Sequence, residues 1–437
     1  MLKSKIESLL RAYVKENISP KREDISFVSI VYNSFTDVLG INNCRQIGSF
    51  PRYTAVRPLH DLDIIFKISD EDFDRQNPEK FLRELVTEFE NNYVNPTSYN
   101  IKINIQTHSV AFLFMNGQDE VFAVDIVPAI IRGKNEFGDD TFSVPEIVQV
   151  RSHNKRQEYY AKLRASKKQM QWIKTDPLGY ITVASEINKK NSDFRKSVKF
   201  VKAWKNRCKD INDEFKLKSF HLEQIITEQL KEDNNQTVYD SIFICLTGLK
   251  NSINKPSLKD RADSSKFIDH YVSEFTVNQV RLINEAIDAA LIVLENFEGS
   301  IESIINAGYF QRSPDEKFLF DFKIPLLEDD NVSFKIDGFI KNATGFREYT
   351  AKLSQFNGRI SVNNSIKFQI ISNNTGNDSR KWKIKNDNQS AQPRGEIGYE
   401  KEQVRFESTS YNGNHYAECY AIKDGVCIAR SKADVII

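Results

Sequence analysis

The stretch GSFPRYTAVRPLHDLDIIFKI, Gly48 to Ile68, sets two carboxylates one residue apart at the mouth of an apolar run. LDIIFKI reads as a buried strand from its apolar and β-branched content. On a strand, residues i and i+2 face the same way, so Asp61 and Asp63 project together, roughly 6 to 7 Å apart. Two anions so placed repel, and a divalent cation between them relieves the repulsion. Hard oxygen donors suit Mg²⁺, which takes one or two carboxylates together with waters and substrate phosphates; Mn²⁺ can substitute. A third acid, Asp125, stands among apolar residues in FAVDIVPA. A carboxylate buried there without a partner costs on the order of several kcal/mol. Upstream, Gly48 permits close approach of backbone to a phosphate, and Ser49 offers its N–H and hydroxyl. HDLD alone reads more readily as a solvated turn, and Asp125 alone can serve as a strand-end acceptor. The combination of Gly-Ser turn, DxD entering a strand and a later apolar-flanked Asp points to metal-assisted phosphoryl chemistry.

Outward from this motif the chain divides by periodicity. Two amphipathic stretches precede it, the second running from a capping Asp24 to Gly40. After it come a helix over Phe81–Tyr93 and strand-like runs in NIKINIQTH, SVAFLFM and EVFAVDIVPAII, a mixed part that ends near Ile131. From about Gln157 to Phe310 the pattern is almost wholly helical. QRSPDEK (311–317) is polar, contains a Pro and lacks periodicity, so it reads as a linker. Beyond it short period-two segments alternate with Asn, Gly, Asp and Ser turns, the pattern of a separate β-rich domain.

The 437 residues predict two or three domains. A net charge of +1 argues against stable duplex DNA binding, which calls for a basic excess. No apolar run is long enough to span a bilayer, and the N-terminus lacks the unbroken apolar core of a signal peptide. Five scattered cysteines without a CxxC pair predict reduced thiols and a cytoplasmic protein with no membrane partner.

QIGSFPRYTAVRPLHDLDIIFKI resembles the signature of polymerase-β-like nucleotidyltransferases, specifically the cGAS/DncV-like nucleotidyltransferases (CD-NTases, SMODS type). It matches in Gly48-Ser49, Thr54-Ala55-Val56 and His60-Asp61-Leu62-Asp63, with His60 where that family has Ser. VDIVPAI resembles its third-acid segment, and WIKTDPLGY (Trp172–Tyr180) the one that follows. The resemblance implies an α+β fold. A nucleotidyltransferase palm with its N-terminal helices takes residues 1–165, and a helical lobe completing the NTP cleft takes 166–310. A linker at 311–317 then leads to a small antiparallel β domain at 318–437. It implies Asp61, Asp63 and Asp125 as catalytic metal ligands, Gly48 and Ser49 as phosphate contacts, and a cyclic di- or trinucleotide product made from NTPs such as ATP in bacterial anti-phage (CBASS) signalling. A downstream effector would bind that product.

Between Lys189 and Lys209 nine basic residues face one acid, Asp193. On a helix, Val198, Val201, Trp204 and Cys208 form a buried stripe, with Lys202, Lys205 and Lys209 on one shoulder. This is either a phosphate-binding face or a solvated one whose stems snorkel. FVKAWK and KSFHLEQI resemble the family's Lys-containing helix and Ser-aromatic segment, which implies that Lys202 and Ser219 hold triphosphate oxygens and that Phe220 stacks on a base. The β-rich end resembles the sensor domain attached to adenylyl/guanylyl cyclases and SMODS nucleotidyltransferases (AGS-C), which implies an unknown ligand. Trp382, Arg394, Arg405, Glu407, Tyr411, His415 and Glu418 are either its lining or ordinary cross-strand pairs. The same acids also serve a nucleotidyltransferase acting on an RNA or protein acceptor, and a third reading is a catalytically silent nucleotide-binding sensor.

Overall fold

The computed structural model describes residues 2–69, 78–147, 172–341, 351–376, 378–389, 395–398 and 404–437. Helix α1 (Leu2–Tyr13) runs into a π-helical turn (Val14–Ile18) and then α2 (Arg22–Leu39). Ile6, Leu10, Val14 and Ile18, four apart, are all buried, as one face of a helix requires. Asp24 sits at the third helical position of α2 rather than at its cap. Its carboxylate accepts the Lys21 N–H at 2.7 Å, one arm of a capping box. Gly40 ends the helix with φ +82°, a conformation that favours glycine.

The palm is a seven-stranded sheet built from β1 (Cys44–Ile47), β2 (Asp61–Lys67), β3 (Asn100–Ile105), β4 (Val110–Asn116), β5 (Asp119–Lys134), β6 (Asp140–Pro145) and β7 (Trp172–Thr175). Its main order is β1-β2-β5-β4-β3, with β6 and β7 continuing from the far half of β5. The mixed part therefore extends past Ile131, and Trp172–Thr175 is strand where the helical pattern was expected; residues 157–171 lie outside the described residues. Strands β2 and β5 pair in parallel, the other neighbours antiparallel. Period two explains the division of labour on β2 and β5. Leu62, Ile64, Val124 and Ile126 are fully buried against α2 and α3 (Pro78–Asn92), so Asp61, Asp63 and Asp125 are left on the opposite face. Phe35 of α2 and Phe89 of α3 meet Phe112 of β4 at ring distances of 4.9 and 4.6 Å, fixing both helices on the sheet.

The helical lobe contains α4 (Pro177–Lys190), α5 (Phe194–Ile211), α6 (Ser219–Glu232), α7 (Val238–Ser252), α8 (Val277–Glu295) and α9 (Ile301–Ile305). Their apolar faces join the buried side of α1 in one core that includes the expected stripe Val198, Val201, Trp204 and Cys208. No helix among the described residues is long and apolar enough to cross a membrane. All five cysteines are free thiols and buried.

The β-rich end is a sandwich of two four-stranded antiparallel sheets. One, in the order β13-β10-β8-β9, uses β8 (Phe334–Ile340), β9 (Ala351–Lys352), β10 (Ser365–Asn373) and β13 (Val404–Ser408). The other, β12-β11-β14-β15, uses β11 (Ser379–Lys385), β12 (Gly395–Gly398), β14 (Asn414–Lys423) and β15 (Val426–Ile436). Asp424 and Gly425, both left-handed at φ +51° and +77°, make the tight hairpin between β14 and β15. The α+β architecture with an antiparallel C-terminal β domain agrees with the sequence-based expectation.

Residues 311–317 are pinned by charge on both sides. Arg312 bridges Asp288 of α8 and Asp321, the latter at 2.7 Å, while Lys250 of α7 reaches the same two carboxylates at 2.6 and 2.8 Å. Glu316 pairs with the buried Lys383 of β11 at 3.0 Å. Phe320 enters the helical core and its neighbour Leu319 the β-domain cluster, so one short turn is shared by both units. Arg312→Met would leave two carboxylates facing one lysine. It is expected to cost about 3 kcal/mol in denaturant unfolding and to open the 311–317 segment to limited proteolysis.

Candidate active site

Three carboxylates share the open face of the palm. Asp63 and Asp125 are register partners across the parallel β2–β5 pair, and Asp61 lies two residues before Asp63. Asp61 is exposed; Asp63 and Asp125 are half-buried. Burial, then the charges of Asp61 and Asp125, push the Asp63 carboxyl up to about 7, against the pull of Arg52. Asp125 is raised as well, mainly by burial, although the Ser109 hydroxyl donates to it at 3.2 Å. A set of hard oxygen donors whose mutual repulsion raises their own proton affinity fits a divalent cation. Among the described residues no three acidic, His or Cys side chains are already gathered at ligating distance, so the aspartates would have to close around an ion.

Gly48 follows β1 and bends the chain over Asp63. Its φ is +75°, and a Cβ there would lie 1.9 Å from Asp63 Oδ2, so glycine is required for both conformation and space. The turn closes through Thr54 N–H to the Ser49 carbonyl at 3.0 Å and Tyr53 N–H to the Phe50 carbonyl at 2.9 Å.

What holds this turn is a buried ionic cluster that the motif alone does not announce. Glu223 of α6 is fully buried and accepts Arg52 Nε at 2.6 Å, Lys202 Nζ at 2.5 Å and the Thr54 hydroxyl at 3.0 Å. Burial opposes its charge, yet Lys202 and Arg52 outweigh burial and hold its carboxyl down at about 2. Lys202 also donates to the Thr54 carbonyl and hydroxyl at 3.2 and 3.1 Å. Expected to reach a triphosphate, the Lys202 ammonium is 4% exposed and braces the turn from behind. One turn further along α5, half-buried Lys205 remains; burial and Lys209 lower its pKa, while Asp210 and Asp61 favour its charge. Glu223 is a charged residue on the buried face shared by Leu222, Ile226 and Leu230, and that mismatch with helical amphipathicity was the available signal.

Ser219 opens α6, so its hydroxyl stands at the positive end of a 14-residue helix. Phe220, half-buried, lies between the Arg52 guanidinium at 5.1 Å and Tyr180, whose ring meets it edge-on at 5.0 Å. Tyr180 is set by the WIKTDPLGY segment. Buried Asp176 caps α4 by accepting the Gly179 N–H at 2.7 Å and also accepts Arg261 Nε at 3.1 Å.

The β-domain candidates divide. Trp382 is core, Arg405 pairs with Glu407 at 2.8 Å, and Glu418 accepts the Tyr420 hydroxyl. His415 accepts the Asp387 N–H at Nδ1 and donates from Nε2 to the Tyr411 carbonyl; Arg394 lies outside the described residues. The cavity beside His415 and Tyr411 holds about 50 Å³, room for a water or two.

Asp63→Asn should remove a charge that folding disfavours. The folded carboxyl titrates near 7 against an ordinary value near 4, so its penalty grows as pH rises between those values and is complete above 7. Asp63→Asn is expected to raise the metal-free Tm by several degrees at pH 8, less at pH 5, and to lose the thermal shift that Mn²⁺ gives the parent protein. Gly48→Ala is expected to lose that shift too.

Comparison with solved structures gives likenesses of low identity. CdnC of E. coli MS115-1 with ATP has 16% identity and a TM-score of 0.49, the match covering 70% of this chain and 99% of that one. The Elizabethkingia meningoseptica CdnE cyclic dinucleotide synthase with GTP and Apcpp has 14% identity and a TM-score of 0.40 over 64% and 95%. A cytoplasmic RNA terminal U-transferase has 10% identity and a TM-score of 0.42 over 71% and 100%. No curated protein sequence matches. Residues 314–437, which include the β sandwich, match the family of the Adenylyl/Guanylyl and SMODS C-terminal sensor domain.

Proposed function

We propose that the protein is a divalent-metal-dependent nucleotidyltransferase that condenses NTPs, ATP among them, into a cyclic di- or trinucleotide with release of pyrophosphate, as a signal in anti-phage defence. The observation that carries this reading is the convergence of Asp61, Asp63 and Asp125 on one face, with the Gly48 turn closed over Asp63. The match of residues 314–437 to a sensor domain named for nucleotidyl cyclases and SMODS enzymes supports the same class.

In this reading Asp61, Asp63 and Asp125 would hold a divalent metal, which would supply Lewis-acid activation of the attacking hydroxyl and charge neutralisation for the leaving pyrophosphate. The chain's own groups position the NTP. The Gly48–Ser49 backbone and the Ser49 hydroxyl meet phosphate oxygens, with Ser219 and the first turn of α6 on the other side of the cleft. Lys205, half-buried one turn beyond Lys202, neutralises the triphosphate, while Lys202, Arg52 and Glu223 fix the turn that presents Ser49. Phe220 offers a ring face to the base, with Arg52 and Tyr180 limiting its movement. The β domain gates the reaction in response to a ligand, and an effector reads the product.

Incubation with each α-labelled NTP and Mg²⁺ or Mn²⁺, followed by phosphatase, is expected to leave a resistant cyclic product. Asp61→Ala and Asp63→Ala are expected to abolish it, with at least 100-fold loss, while retaining cooperative unfolding. Unchanged product from either variant would overturn the assignment, and only linear or protein-attached label would indicate an RNA or protein acceptor.

A further inference from the structure

A second concentration of positive charge lies away from the aspartates. The π-helical turn after α1, the end of α4 and the outer side of α5 enclose an open groove of about 500 Å³, the size of an ordinary small-ligand site. Arg11, Lys15, Arg195, Lys196 and Lys199 line it. Asp193 engages Arg11 at 2.7 Å and Lys196 at 3.2 Å. Lys15, Arg195 and Lys199 have no carboxylate partner among the described residues. Lys199 gives one hydrogen bond, to the Ser19 hydroxyl at 3.0 Å. Burial, reinforced by Arg195, Lys202 and Lys196, pushes it down to about 8. A groove that partly buries its own lysine among other cations favours an anion that offsets both effects.

The groove is also wired to the active-site turn. Arg195 donates from Nε to the Arg52 carbonyl at 3.1 Å, and its guanidinium lies 4.5 Å over the ring of Tyr53. Tyr53 is left-handed at φ +60° and mostly exposed, so this stack secures a residue in a costly conformation. Arg52 and Tyr53 belong to the turn that carries Gly48 and Ser49. The terminal NH groups of Arg195 have no protein partner among the described residues, leaving a guanidinium edge facing the groove.

We propose that this groove is a second nucleotide site, which binds a phosphate-bearing ligand through Lys15, Lys199 and Arg195 and sets the geometry of the Gly48–Thr54 turn by way of Arg195. The ligand is a free NTP or the short oligonucleotide product, two sources of the same phosphate chemistry. The regulatory half of the inference rests on the nucleotidyltransferase reading; the binding half does not.

Equilibrium dialysis with labelled ATP in EDTA isolates the groove, because metal-dependent binding at the aspartates is suppressed. The full chain is expected to bind one equivalent, displaceable by inorganic tripolyphosphate and weakened by salt. Lys15→Ala/Lys199→Ala is expected to weaken binding at least tenfold, and Lys15→Ala alone, at an exposed position, to weaken it several-fold with unchanged Tm. Asp61→Ala/Asp63→Ala is expected to bind as the parent does, even if no turnover is ever seen. A parallel titration with a cyclic dinucleotide identifies the source: tighter ATP binding assigns substrate control, tighter cyclic dinucleotide binding assigns product feedback. Absence of binding by both in EDTA, retention of binding by the double lysine variant, or tight binding of duplex RNA with none of ATP would each overturn the proposal.

Discussion

The buried carboxylate of Glu223 ties the palm turn to the helical lobe. It belongs to α6, yet its three partners are Arg52 and Thr54 of the palm turn and Lys202 of α5. An ionised group this deep is tolerable only because two cations and a hydroxyl satisfy its oxygens. The turn that runs from Gly48 to Thr54 packs Phe50 against the palm core but leaves Tyr53 mostly exposed. Its shape over Asp63 depends on this cluster and on the two backbone hydrogen bonds that close it.

From that constraint the arrangement of charge follows. The palm presents three carboxylates, and burial together with the charges of Asp61 and Asp125 displaces Asp63 upward. The lobe answers with a basic helix whose members are sorted by depth. Lys202 points inward to Glu223, Lys205 lies half-buried one turn further on, and Lys199 faces the outer groove among other cations. One helix therefore contributes a brace, a candidate phosphate ligand and the wall of a second site, each set by its position along the same three turns. The segment that leads into the β sandwich is fastened to the lobe by Arg312, Lys250 and their shared carboxylates, and it meets the sandwich itself through the Glu316–Lys383 pair and Leu319.

Much of this was legible in the sequence where the physics is local. Alternation in DLDII separates core from site on β2, and the stripe through Val198, Val201, Trp204 and Cys208 gives the orientation of α5. Periodicity is silent where partners are distant. It put Lys202 on a shoulder, whereas a carboxylate 21 residues on and a turn 148 residues back draw its ammonium inside. Trp172–Thr175 is too short to alternate convincingly and becomes a strand only because β6 pairs with it. QRSPDEK looks solvated because its side chains are polar, but Arg312 and Glu316 find their counter-charges on α8 and β11.

The most direct test of the Glu223 brace is hydrogen exchange in Glu223→Gln, which keeps the shape and removes the charge. The Tyr53 and Thr54 amides are expected to exchange at least tenfold faster, corresponding to about 1.4 kcal/mol of lost local stability, while α7 stays protected and nucleotide condensation falls. Unchanged exchange at Tyr53 and Thr54 together with undiminished condensation would contradict the account.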